Sequence, residues 1–599
     1  MVARGLSVET FNPKYTDLGS MLAATAARWA EEPFLGEKRD GAWRWVTFGE
    51  FHSRVKRARA ALAGLGVAKG DRVAVISNNR IEWAECAYAA WTLGATYVPM
   101  YEVQLEADWR HILADCGARV CLVSTDAILA KVSAMRDSLP ALERIVGFDR
   151  PDGDDSYRAL CAAAGGGGRD AVTLSGGDDA VFIYTSGTTG KPKGVRLSHQ
   201  SLTANICATE GMVSIGPGDR GLCILPWAHV GGLAELNTLV LYGVSAGLCQ
   251  GFDKLAENLV EVKPTWLIAV PRIWHKFHDA VQKSVAQQKP IIQRIFRRAM
   301  SAGRLRRERG RLTLKDRVAL AVAERVLYPK IRARLGGRLR LTTVGAAALS
   351  IDVAHFIENL GIPVLEVYGQ TECSPLVTGM RPGDGRLGSV GRPLPGVTVK
   401  LDHDAPGGDA ENGEIIVYGH CVMLGYHRLP EESARVFTSD GGLRTGDLGR
   451  LDGDGFLYIT GRVKEVYKLD NGKFVAPVPI EEKIALSPYV AQAMVVGLNR
   501  PHNVALIVVD RAALLGWCAQ QGLACGDDAS LLRDARVRRL FADELARLTE
   551  SMKGYERVGG FVLTTEEMTT ANDLLTPTLK VKRRNVLAKY GDQLEALYR

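Results

Sequence analysis

The segment YTSGTTGKPKGV at residues 184–195 packs hydroxyls, glycines and two lysines into a short space, directly after the strand-like run AVFIYT. Backbone N–H groups of a loop built this way can converge on phosphate oxygens. Gly187 and Gly190 allow close backbone approach and positive φ. Thr185, Ser186, Thr188 and Thr189 add hydroxyls, and Lys191 and Lys193 add charge. The pattern is not the P-loop GxxxxGK[ST]: GTTGK is two residues too short, and Pro192 follows the lysine. A flexible linker accounts for the glycines but not for the preceding strand or the lysines. The chemistry that needs all three is the gripping of a polyphosphate.

This segment resembles the signature of the adenylate-forming superfamily, which includes acyl-CoA synthetases, luciferases and the adenylation domains of peptide synthetases. Further segments follow in that superfamily's order over about residues 20–595. LTTVGAAALS (341–350) resembles the strand end against which the family packs adenine; Gly345, Ala346 and Ala347 are small, as a flat ring at close approach requires. In VYGQTEC (367–373) the resemblance implies that Tyr368 and Gly369 line the adenine site and Thr371 contacts the α-phosphate. It implies Glu372, with Thr185, as ligands of Mg²⁺, a hard cation suited to oxygen donors. LRTGDLG (443–449) supplies Asp447 for the ribose hydroxyls; GRVKE (461–465) supplies Arg462 for the nucleotide and Lys464 at the hinge position.

LTPTLKVKRR (575–584) carries the catalytic-lysine candidate: Thr576, Lys580 and Arg583 fit the family spacing. Leu579 replaces the usual glycine before the lysine and Leu574 the usual proline before the threonine, so Lys582 stands as the alternative. KLDNGKFVAP (468–477) implies Lys468, Asn471 and Gly472 on the CoA-facing side. In LPWAHVGGL (225–233), His229 matches a family histidine beside the acyl site, with a catalytic contribution, and Leu233 stands where some long-chain members carry a gating tryptophan.

These residues need a scaffold, and the chain supplies one. Its 599 residues exceed what one core holds, roughly 250–300 residues, so more than one domain is expected. With 46% apolar and 24% charged residues there is material for a large core. A net charge of +8, from 75 basic and 67 acidic residues, shows no concentrated basic stripe with a nucleic-acid module. Eleven scattered cysteines without CxxC pairs indicate reduced thiols. The N-terminal stretch has no long apolar core, against a secretory signal. LNTLVLYGVSAGLCQGF (236–252) is too short and too interrupted for a membrane span of about 20 residues and reads as buried core.

Amphipathic segments (21–30, 47–66) alternate with buried-strand runs (71–77, 118–124, 265–270, 339–345, 362–369), which predicts an α/β architecture with largely parallel strands. After residue 380 the texture turns to short β segments. The expectation is a large N-terminal α/β domain with a β-rich section, residues 1–463, and a small mobile C-terminal α/β domain, residues 464–599. Within the latter, 491–510 reads as two strands followed by helices. The arginine-rich helical insert at 282–335 reads as a solvated hairpin or as a surface for anionic lipid headgroups.

The resemblance to the long-chain fatty acyl-CoA synthetase branch implies a ligase that uses ATP and Mg²⁺ to make a fatty acyl-adenylate and then a thioester with CoA. The partners implied are the fatty acid, ATP and CoA, with no nucleic acid, in a cytoplasmic protein with peripheral membrane contact and an oligomer both left open. Two alternatives stand beside it: a fatty acyl-AMP ligase loading an acyl carrier protein, separable by whether CoA alone suffices, and a non-catalytic nucleotide- or lipid-binding relative, which would carry no need for Glu372 and a lysine.

Overall fold

Helix Phe48–Gly64 shows how local sequence sets the boundaries of an element. Thr47 Oγ1 accepts the Glu50 N–H at 3.2 Å and Glu50 returns the bond to the Thr47 N–H at 3.0 Å, a reciprocal cap that starts the helix. In the computed structural model, residues 11–165, 170–186, 191–308, 310–523, 527–550, 552–576 and 580–599 are described. They form two compact units: Met1–Val399 with Val417–Arg444, and Lys400–Ile416 with Thr445–Arg599.

The first unit is built on a seven-stranded sheet in the order Gly425–Tyr426, Pro192–Ser198, Asp179–Ser186, Thr96–Met100, Arg72–Ile76, Val120–Val123, Arg144–Gly147. The five strands from Asp179–Ser186 onward are parallel; the first two close one edge in antiparallel pairing. Residues 73–76 and 120–123 are fully buried, as expected of strands covered on both faces. A second sheet runs Trp266–Ala269, Leu341–Val344, Val364–Gly369 in parallel, then Leu376–Gly379 and Arg392–Pro393 antiparallel.

A third sheet, Ala42–Thr47, Pro33–Arg39, Ser245–Leu248, Arg220–Cys223, joins segments far apart in the chain. The apolar stretch 236–252 supplies part of helix Val230–Tyr242 and strand Ser245–Leu248, both in the core as expected. No described helix is long and apolar enough to cross a membrane.

The basic insert forms helices Pro271–Ala286, Pro290–Arg307, Leu314–Val322 and Tyr328–Ala333. It is more than a solvated hairpin. Phe296, Ala299 and Ala302 are buried, and a Cβ on Gly303 would fall 1.9 Å from Asn359 Oδ1 on the neighbouring helix Ile351–Asn359. Arg298 pairs with Asp316 at 2.8 Å and Arg307 with Glu358 at 3.3 Å, so part of the arginine charge ties the helices together.

The second unit carries a sheet of Val490–Val496, Asn503–Val509 and Val558–Thr564, the first pair antiparallel and the second parallel. The period of two sorts the central strand. Ala505, Ile507 and Val509 pack with Ile480, Leu514 and Phe541 on one side; Val504, Leu506 and Val508 pack with Val586, Tyr590 and Leu594 on the other. The third strand, where the sequence reads as helix, carries Gly559 and Gly560 within it, which leaves only Phe561, Val562 and Leu563 as an apolar run.

Candidate active site

Strand Asp179–Ser186 pairs antiparallel with Pro192–Ser198 in the register Thr185↔Lys193 and Ser186↔Pro192. Gly187, Thr188, Thr189, Gly190 and the Ser186 side chain lie outside the described residues. Tyr184 anchors the base, donating to Asp115 Oδ2 at 2.5 Å, and its ring would lie 2.9 Å from a Cβ on Gly194. Lys191 is exposed. Lys193 does something other than the sequence suggests. Its ammonium pairs with Glu432 at 2.6 Å and lies over the Tyr426 ring at 5.6 Å, so its charge is matched inside the fold and fastens helix Pro430–Val436 to the hairpin.

At the end of strand Val364–Gly369 the chain turns through Thr371–Cys373. Gly369 is required there, because a Cβ would fall 1.7 Å from the Pro375 carbonyl oxygen. Thr371 is buried and Glu372 half-buried. Two bonds hold Glu372: the Tyr426 hydroxyl donates to Oε1 at 2.9 Å, and the Met423 N–H donates to the Glu372 carbonyl at 2.9 Å. Burial, and then Glu372 itself, push the Tyr426 phenol far up, so it remains a donor. Asn205, on helix His199–Cys207, fixes the following segment: Nδ2 donates to the Leu376 carbonyl at 2.6 Å and Oδ1 accepts the Leu376 N–H at 3.1 Å.

Tyr426 belongs to the strand paired with Pro192–Ser198, opposite Val195. The structure therefore brings the phosphate-loop hairpin and the Glu372 turn onto one support. Tyr426 and Asn205 were not legible as site residues; the only signal was an aromatic-glycine-proline run, GYHRLP, without an evident chemical role.

Strand Leu341–Val344 ends in Gly345, Ala346 and Ala347, of which the two alanines are exposed. A Cβ at Gly345 would meet Val367 Cγ2 at 2.8 Å, and Ala346 holds φ +71°. Tyr368 is buried beside this edge, in the adjoining strand. Its neighbour on the same face, Glu366, is a buried carboxylic acid that burial raises to about 7.

His229 caps helix Val230–Tyr242: Nδ1 accepts the Gly231 N–H at 3.1 Å, which leaves the proton of a neutral ring on Nε2. Leu233, one turn on, is fully buried. Asn79 secures the approach, donating to the Leu225 carbonyl at 2.8 Å and accepting the Trp227 N–H at 2.8 Å. A cleft of about 1160 Å³ beside Arg80 and Phe148 is lined by Asn79 but by neither His229 nor Leu233. Its cations are largely matched, Arg80 by Asp149 at 2.8 Å and Arg39 by Glu37 at 2.7 Å.

In the second unit, Asp447 and Arg462 sit opposite each other on antiparallel strands and pair at 2.6 Å. Asp447 is buried, while the Arg462 side chain is 41% exposed. Lys464 is exposed in the turn that follows. Lys468 lies over the Phe474 ring at 5.6 Å in a hairpin whose turn places Gly472 at φ +82°.

The residues flanking Lys580 are tied together by backbone bonds, with Leu575 bridged antiparallel to Val581. Thr576 N–H donates to the Lys580 carbonyl at 2.8 Å, Thr576 Oγ1 accepts the Lys580 N–H at 3.0 Å, and the Lys582 N–H donates to the Leu574 carbonyl at 2.8 Å. Lys582 forms an ion pair with Asp573, which also accepts from Asn585 at 2.8 Å. Arg583 reaches inward to Glu481 at 2.6 Å and the Val495 carbonyl at 3.2 Å.

Two sheets edged by a hydroxyl-rich hairpin, an acid-bearing turn and a small-residue strand end define a nucleotide-activating architecture. The model for AMP-binding enzymes matches residues 22–427, and that for the AMP-binding enzyme C-terminal domain matches 464–599; the chain belongs to the AMP-binding enzyme family. Among curated proteins it is 33% identical over 569 residues, 93% of each chain, to the long-chain-fatty-acid–CoA ligase FadD15 of Mycobacterium tuberculosis. It is 29% identical to the peroxisomal long chain acyl-CoA synthetase 7 of Arabidopsis thaliana, over 98% of this chain and 87% of that one. Among solved structures, the adenylation domain of a carboxylate reductase from Mycobacterium chelonae aligns with TM-score 0.79 at 24% identity, covering 99% of this chain and 92% of that domain. That likeness supports the fold.

Proposed function

We propose that the protein activates a long-chain fatty acid with ATP and transfers the acyl group to CoA, releasing pyrophosphate and AMP. The observation that carries the nucleotide half is the Tyr426–Glu372 bond, which seats a carboxylate beside the strand that leads out of the polyphosphate loop. The acid and the thiol acceptor follow from the full-length similarity to long-chain-fatty-acid–CoA ligases.

A carboxylate is a poor acyl donor because oxide is a bad leaving group. In the first step its oxygen bonds to the α-phosphorus and the bond to pyrophosphate breaks, giving an acyl-adenylate. Two anions must meet while charge builds on the departing group, so catalysis is positioning and charge neutralisation. The hairpin hydroxyls and Lys191 serve the phosphates, Thr371 the α-phosphate, and Lys580 the developing charge. Lys582, which pairs with Asp573, is the alternative for that role. Gly345–Ala347 and Tyr368 hold the adenine, and Asp447 with Arg462 the ribose.

Glu372 and Thr185 present oxygen donors, and the described residues hold no group of three or more metal-ligating side chains. That donor set fits a magnesium ion held mainly by substrate phosphates, where it would neutralise their charge. In the second step the CoA sulfur bonds to the acyl carbon and the bond to AMP breaks. Rotation of the domain beyond residue 463 about Lys464 would exchange Lys580 for the Lys468–Gly472 face, and His229 with Leu233 would border the acyl chain.

The insert adds a membrane-facing reading. Leu314 and Val318, one turn apart, are 77% and 55% exposed beside Lys315 and Arg317. This pairing suits anionic lipid, and sedimentation with vesicles containing phosphatidylglycerol but not with phosphatidylcholine alone is the expected result.

The deciding experiment is ATP–pyrophosphate exchange over a graded series of fatty acids, followed by thioester analysis with CoA. Exchange that peaks with long chains and CoA-dependent thioester are expected. Exchange with no acid in the series, or thioester formed only on a carrier protein, overturns the proposal.

A further inference from the structure

A carboxylic acid in the middle of a core strand is costly, and leucine would fill the same space without the cost. Glu366 occupies such a place in Val364–Gly369, opposite Val344, the residue before Gly345–Ala347. Its side chain accepts a hydrogen bond from the Gly388 N–H at 3.3 Å and another from the backbone N–H of Leu349. Leu349 belongs to the loop that continues the small-residue edge, and Gly388 to the loop between Leu376–Gly379 and Arg392–Pro393. One side chain thus gathers two loops that are separate in sequence and share no strand.

We infer that Glu366 is a positioning residue of the nucleotide site: as a carboxylate it clamps the Leu349 loop and the Gly388 loop, and so sets the edge Gly345–Ala347 against which adenine rests. This deepens the function proposed above and rests on it for the identity of the edge. The flanking strands Leu341–Val344 and Leu376–Gly379 carry no charged residue. The charge that bears on Glu366 comes from Glu358 on helix Ile351–Asn359, itself paired with Arg307 at 3.3 Å. The second loop carries Arg381, Asp384 and Arg386, with Asp384 paired to Arg392 at 2.6 Å.

Both bonds to Glu366 are N–H donations, which an ionised carboxylate takes on both oxygens. Protonation turns one oxygen into an O–H donor, which cannot pair with an N–H that also donates, so one of the two bonds is weakened. Because burial lifts this acid to about 7, the clamp tightens as pH rises through neutrality and slackens below it.

The test uses the full chain and Glu366→Gln, which keeps the shape and cannot ionise. ATP binding is measured by calorimetry without any acid substrate, and backbone hydrogen exchange is followed in 345–350 and 380–391. The expected ratio of variant to wild-type Kd is about three- to tenfold at pH 8 and near one at pH 6; reading the ratio cancels the titration of ATP itself. Exchange in both segments is expected to quicken severalfold in the variant at pH 8, with the Val490–Val496 sheet unchanged. A ratio that does not vary with pH overturns the clamp, as does unchanged exchange in either loop. Faster exchange with equal ATP affinity also overturns it, since the loops would then not serve the nucleotide. Absence of fatty-acid turnover in the wild type leaves these readouts intact and counts only against the acid assigned above.

Discussion

Tyr426 donates its hydroxyl to Glu372 across 2.9 Å, joining an edge strand of the seven-stranded sheet to the turn between strands Val364–Gly369 and Leu376–Gly379 of the second sheet. The bond aims one carboxylate oxygen and leaves the acid on the same support as the phosphate hairpin. Replacing Tyr426 by Phe removes the donor and keeps the ring over Lys193. A hydrogen bond to a charged group contributes about 1.5–3 kcal/mol. Adenylate formation should fall roughly ten- to hundredfold, measured by ATP–pyrophosphate exchange, with a higher Mg²⁺ requirement and a melting temperature lower by a few degrees.

The two lysines of the C-terminal segment should separate cleanly. Lys580→Ala is expected to slow single-turnover adenylate formation roughly a hundred- to thousandfold, the cost of one charge-stabilising group. Lys582→Ala loses the partner of Asp573 and should change that rate by less than about tenfold. Equal losses in both variants would reassign the catalytic role.

Asp447 lies buried with Arg462 as its partner, and the proposed function gives it the ribose hydroxyls. The wild type should bind 2′-deoxy-ATP at least about tenfold more weakly than ATP, in line with one lost bond to a charged acceptor. In Asp447→Asn the two nucleotides should differ by about twofold or less, because the discriminating acceptor is weakened for both. Competition binding measures this directly.

Glu366 makes a prediction about stability whose sign opposes its effect on binding. Its folded-state acid is raised from the ordinary value of 4.5 to about 7, so the folded protein holds the proton more tightly than the unfolded chain. Stability contributed by the neutral form is complete below about pH 4.5 and is lost as pH climbs through 7. Glu366→Gln should therefore match the wild type near pH 5 and exceed it at pH 8, by up to roughly 3 kcal/mol at about 1.4 kcal/mol per pH unit. Thermal unfolding at the two pH values checks it. A more stable variant that binds ATP less tightly is the expected pairing, since sites shaped for function store such costs.

Much of the scaffold was legible because its strands are continuous apolar runs between turn residues, as in 73–76 and 120–123. The third sheet was not, since Leu35 finds its partner at Ala246, and no local pattern announces a pairing over that distance. The site divided the same way. Glu372, Asp447 and Lys580 are marked by short motifs that travel with their chemistry. Tyr426 and Asn205 are placed by tertiary pairing and Lys193 is claimed by Glu432 from a distant helix, none of which a local pattern announces.

Ala346 holds φ +71° although it carries a side chain, a conformation that glycine would adopt at lower energy. The methyl group narrows the freedom of that loop in the unbound chain. On the proposed reading of this edge as the adenine platform, less ordering is left for binding to complete.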